Sequence, residues 1–117
     1  MELASVCVGV QDMERAVAFY RKLFQAEPIQ HMEKTSVFQP GPVRFVLLHQ
    51  SVYAFPLQQG NNCVPTFSVA DIESEHERVK QLEPPKIADQ IVQGGPFRLF
   101  QFSDTEGNIL ECRTLLS

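Results

Sequence analysis

Val8-Gly9-Val10-Gln11-Asp12-Met13-Glu14 returns 59 residues later as Phe67-Ser68-Val69-Ala70-Asp71-Ile72-Glu73. Each copy is an alternating apolar run, then an Asp, then the first turn of an amphipathic pattern. Alternation places successive side chains on opposite faces of a strand, and Asp is a preferred helix N-cap because its carboxylate accepts the unpaired N–H groups of the first turn. Ahead of the first copy the alternation extends back to residue 3, with Ala4, Val6, Val8 and Val10 on one face and Ser5, Cys7 and Gly9 on the other. Beyond Asp12, the residues Met13, Ala16, Val17, Tyr20, Leu23 and Phe24 recur at spacings of three and four, which predicts a helix over 12–24 with one apolar stripe. Pro28 ends it. Strands are then expected over 29–32, 35–39 and 43–49, separated by Glu33-Lys34 and by Pro40-Gly41-Pro42.

The second copy opens the same series. A strand is expected over 64–70, then a helix from Asp71 marked by Ile72, Val79 and Leu82 and stopped by Pro84-Pro85. Three more strands follow over 86–91, 97–103 and 108–115, with turns at Gly94-Gly95 and at Asp104-Thr105-Glu106-Gly107. The expected fold is therefore α+β, one domain over 1–117 built from two βαβββ modules of about 1–58 and 62–117.

Composition narrows the function classes. The 117 residues are 44% hydrophobic and 21% charged, and the formal charge of −4 comes with scattered basic residues. That pattern gives no electrostatic footprint for nucleic acid or an anionic membrane, no apolar run approaches a membrane span, and the first residues lack the form of a signal peptide. Cys7, Cys63 and Cys112 form no CxxC pair, so the reading is a reduced protein of the cytoplasm. Open sheet edges on a small chain lead us to expect a homodimer.

Ala18-Phe19-Tyr20-Arg21-Lys22-Leu23-Phe24, closing the first helix, and Phe102-Ser103-Asp104-Thr105-Glu106-Gly107-Asn108-Ile109-Leu110-Glu111, near the end, resemble the glyoxalase, bleomycin-resistance and extradiol-dioxygenase (vicinal oxygen chelate) superfamily. The resemblance spans essentially the whole chain. It implies curled mixed sheets forming a cleft with the helices outside, and, in the enzymes, a divalent metal held by ligands from several strands. Carried over residue by residue, the first-strand ligand falls on Ser5 and its counterpart in the second module on Val64. The last ligand falls on Glu111. The remaining one falls on Leu47, or on His49 if that strand slips by two residues. Catalytic metals take three or more protein ligands, so Glu111 and His49 are all that is left to hold one, and no metal or other cofactor is expected.

The resemblance implies a cleft into which Glu111 turns; alternation sends Ser5, Cys7, Thr66 and Ser68 to the same side, alongside Glu111 and Arg113, and His49 joins them if its strand slips. Phe97, Phe100 and Phe102 share one strand, so some must point away from the helix-packed core, and Phe100 is assigned to the cleft. His76 lies on the packing stripe of the second helix and reads as structural. A concave, apolar cavity with few convergent polar groups is a usual small-molecule site. The expected function is metal-independent binding of an apolar or aromatic ligand. Two alternatives stand beside it: a metal-dependent lyase, isomerase or dioxygenase, and a non-catalytic interaction module.

Overall fold

The computed structural model describes residues 1–117, which divide into two compact units, Met1–Gln59 and Gly60–Ser117. In the first, β1 (Ser5–Val10), α1 (Met13–Phe24), β2 (Gln30–His31), β3 (Thr35–Phe38) and β4 (Arg44–His49) follow in order, closed by a short 3-10 turn at Gln50–Val52. The four strands lie in the order β1-β4-β3-β2, with β1 parallel to β4 and the others antiparallel. Asp12 caps α1 by accepting the Arg15 N–H at 3.0 Å. The helix ends at Gln25, whose left-handed φ of 54° turns the chain away before Pro28.

One face of this sheet meets α1. Val6 and Val8 pair with Phe45 and Leu47, and Tyr20 of α1 sits over Phe45 and Phe38 with ring centroids 5.1 and 6.2 Å away. Tyr20, Leu47, Val10 and Val17 are fully buried. Each such side chain stabilises the unit by roughly 1.5–3 kcal/mol, so the alternating strand and the helical stripe are fixed by the same aromatic core.

The second unit repeats the plan with β5 (Thr66–Ser68), α2 (Ile72–Gln81), β6 (Val92–Gly94), β7 (Phe97–Ser103) and β8 (Ile109–Leu115), ordered β5-β8-β7-β6. Asp71 caps α2 through the Ser74 N–H at 3.1 Å. The expected strand over 86–91 is not a strand. Ile87 bridges Phe102, yet Val92 pairs with Leu99, whereas a straight ladder would set Gln90 there. The two extra residues bulge out around Asp89-Gln90-Ile91, and the regular strand begins only at Val92. The first expected strand of this half also shortens, from 64–70 to Thr66–Ser68.

Asp104 explains the turn that drew attention in the sequence. Fully buried, it accepts the N–H groups of Glu106 and Asn108 at 2.8 and 2.9 Å on one oxygen and the Asn108 side-chain amide at 2.8 Å on the other. The carboxylate organises the β7–β8 connection and sets the register in which Glu111 faces Gln101. His76 is buried on α2, its Nε2 2.8 Å from the Ala88 carbonyl oxygen and its ring 4.7 Å from that of Phe100.

Candidate functional site

In the second unit, Cys112, Phe100, Phe102 and Leu110 fill the side of the sheet under α2. Burial, with the Glu75 carboxylate adding to it, pushes the Cys112 thiol up to about 12, so the group is a neutral apolar filler. Phe100 was expected in the cleft; strand parity puts it in this core instead, fully buried against His76 and Phe102. The one ring of the strand on the other parity is Phe97.

The face away from α2 carries polar side chains. Thr66 pairs with Glu111 and Ser68 with Arg113 along β5 and β8, while Gln101 and Leu99 stand opposite the same two residues on β7. Gln101 donates to one Glu111 oxygen at 2.9 Å and the Thr66 hydroxyl lies 3.3 Å from the other. The Arg113 guanidinium lies 4.0 Å from the centroid of the Phe97 ring, and its Nε–H is buried with no hydrogen-bond partner. Four residues expected on this face, Thr66, Ser68, Glu111 and Arg113, therefore share it by register. Phe97, Leu99 and Gln101 join them; the signal for them was the alternation of β7 itself, read in the opposite phase.

The corresponding face of the first unit differs. Ser5 and Cys7 lie on it, their Oγ and Sγ atoms 3.8 Å apart, and pair with Arg44 and Val46. Gly9 follows, and a Cβ built there would stand 2.2 Å from a methyl of Leu57, so the segment after the 3-10 turn lies over this end of the sheet. Tyr53 belongs to that segment; burial first and the nearby Cys7 second raise its phenol pKa.

His49 does not join Ser5 and Cys7. It pairs with Val10, the phase of the helix-packed side, and its Nδ1 accepts the Ser51 N–H at 3.1 Å and contacts the Ser51 hydroxyl at 2.8 Å, capping the 3-10 turn. Leu47 is fully buried under α1. The repeat makes the reason plain: Cys7 is to Val46 what Thr66 is to Glu111, so the position equivalent to Glu111 is Val46. A slip of one residue moves every side chain to the other face, and both Leu47 and His49 are on the wrong one.

Within the second unit Glu111 stands alone among the positions that the resemblance gives to metal ligands, the other one there being Val64, and no three His, Cys, Asp or Glu side chains gather as a ligand set. The residues present do not fit a metal that needs three protein donors.

The model of the Glyoxalase/Bleomycin resistance protein/Dioxygenase superfamily matches residues 2–112. The chain belongs to this superfamily. Among solved structures, a glyoxalase-related enzyme from Fulvimarina pelagi superposes with a TM-score of 0.82 at 14% identity, covering 97% of this chain and 87% of that one. The genomically encoded fosfomycin resistance protein FosX from Listeria monocytogenes gives 0.79 at 19% identity, covering 99% and 94%. A single-residue mutant of that FosX, complexed with Mn(II) and 1S,2S-dihydroxypropylphosphonic acid, gives 0.75 at 20%, covering 95% and 87%. At these identities the likeness is one of fold. None of the curated proteins matches the chain, and no helix is long and apolar enough to cross a membrane.

Proposed function

We propose that this member of the superfamily binds a small apolar or aromatic compound without a metal, on the sheet face that carries Thr66, Ser68, Gln101, Glu111 and Arg113. One observation carries the reading: Glu111 accepts from the neutral Gln101 amide at one oxygen and has the Thr66 hydroxyl, shared with the Val64 carbonyl, beside the other, while the equivalent position of the first unit is Val46. A carboxylate held in this way is a hydrogen-bonding group, and Phe97 and Leu99 supply apolar surface beside it. The test is thermal-shift screening of the full chain against small aromatics and divalent ions, with and without chelator. Stabilisation by aromatics that is indifferent to chelator is the expected result; stabilisation by Mn²⁺, Ni²⁺ or Zn²⁺ alone would overturn it.

A second reading, a metal-dependent lyase, isomerase or dioxygenase, is favoured by the placement of Glu111 on that face and by the Mn(II) of the FosX complex. It requires donors from the substrate or from water. The proposal includes a single domain over both units, a cytoplasmic protein with no nucleic-acid partner, supported by the charge of −4 and the free thiols, and a homodimer. Each sheet ends in two edge strands, β1 and β2 in one and β5 and β6 in the other, and sheet edges are the usual templates for pairing with a second chain, which supports the dimer.

A further inference from the structure

Arg113 is the residue whose chemistry is unfinished. Its Nε–H is buried without an acceptor, which is unfavourable and uncommon in folded proteins. The acids of its own unit do not supply one. Glu111, two positions away on the same face, makes no bond to it and turns to Gln101 and Thr66 with acceptor capacity to spare; Glu73 pairs with Arg98 and Glu75 with Arg78. The Phe97 ring lies 4.0 Å from the guanidinium carbon and favours the cation electrostatically while limiting its rotation. With the Nε–H buried, the two terminal nitrogens are the donors left for a ligand, a planar pair whose geometry matches carboxylates and other oxyanions in paired hydrogen bonds.

We propose that the ligand of this face is an organic acid: its oxyanion seats on Arg113, its apolar body lies along Phe97 and Leu99, and a hydroxyl or amine of the ligand donates to Glu111. This rests on the small-molecule reading above and names its ligand class. Residues two apart on one strand face are separated by roughly 6.5–7 Å, which sets the span between the acid and the donor. The opposite signs of Glu111 and Arg113 also select: a second acid on the ligand would meet Glu111 and be rejected by repulsion.

The experiment is calorimetric titration of the full chain, with chelator present, with 4-hydroxybenzoate, its neutral amide and terephthalate, alongside phenolic sulfonates and phosphonates with neutral esters. The proposal expects the monoacids to bind at least about tenfold more tightly than their neutral counterparts, and the preference to shrink to within about twofold in Arg113→Gln. Arg113→Lys, which keeps the charge and loses the fork, should fall between. Equal affinity of acid and amide for the wild type would overturn the proposal while leaving small-molecule binding intact, as would a preference that survives Arg113→Gln. Should Arg113→Gln fail to fold, the wild-type ratio and its weakening with salt decide alone. Binding by none of these compounds, neutral aromatics included, would overturn both readings.

Discussion

Glu111 holds two hydrogen bonds that a glutamine at the same position could also make, one through its carbonyl to Gln101 and one through its amide to the Thr66 hydroxyl. Glu111→Gln should therefore melt within about 1 kcal/mol of the wild type, and lower the affinity for a ligand that donates to the carboxylate by about 1–3 kcal/mol. Thermal denaturation and calorimetry check the two halves separately. Cys112 gives a second prediction at this scale. Its thiol binds a proton more tightly folded than unfolded, so it favours the fold fully below the ordinary thiol range and loses that contribution as the pH climbs from there toward about 12. At pH 8 a thiol reagent should modify the exposed Cys7 and Cys63 and reach Cys112 only after denaturant is added; mass spectrometry of the labelled chain reads the outcome.

Elements in this fold are set by small groups of residues at their ends and crossings. Removing the Asp104 carboxylate strands the Glu106 and Asn108 N–H groups in a buried turn, so Asp104→Ala should cost about 2–4 kcal/mol in urea unfolding, and Asp104→Asn less. At the other end of the chain, Gly9 lies beneath Leu57: Gly9→Ala sets a methyl 2.2 Å from a Leu57 methyl, and because that half-buried loop side chain can swing aside, the cost should stay at about 1 kcal/mol. Adding Leu57→Ala should recover much of that loss, so a double-mutant cycle should show clear coupling. The helices and seven of the eight strands, all but β6, were legible to within two residues at each end, because apolar spacing and Asp caps are written locally. What failed was phase and bulging. Nothing in the residues 43–49 says which parity faces α1, since Phe45, Val46, Leu47 and Leu48 are all apolar; the Tyr20–Phe45 contact decides it. The bulge at Asp89-Gln90-Ile91 depends on pairing with β7, a partner that local sequence does not reveal.

At the scale of the molecule, one plan is used twice with different chemistry on its two sheets. The repeat was visible from the 59-residue offset, and Thr66, Ser68, Glu111 and Arg113 follow from it as one face. Their partners Gln101 and Phe97 required the register. The first unit answers Glu111 with Val46 and covers Gly9 with Leu57, so the position that repeats Glu111 carries no metal donor. Sedimentation at micromolar concentration tests the dimer, for which a single species of twice the chain mass is expected. The central claim, that this face takes its ligand without a metal, is tested most directly by one calorimetric comparison. The tightest ligand of the aromatic panel is titrated into chelator-stripped protein and into protein supplied with Mn²⁺. The account predicts the same affinity in both; binding that appears only with Mn²⁺ and disappears in Glu111→Gln would contradict it.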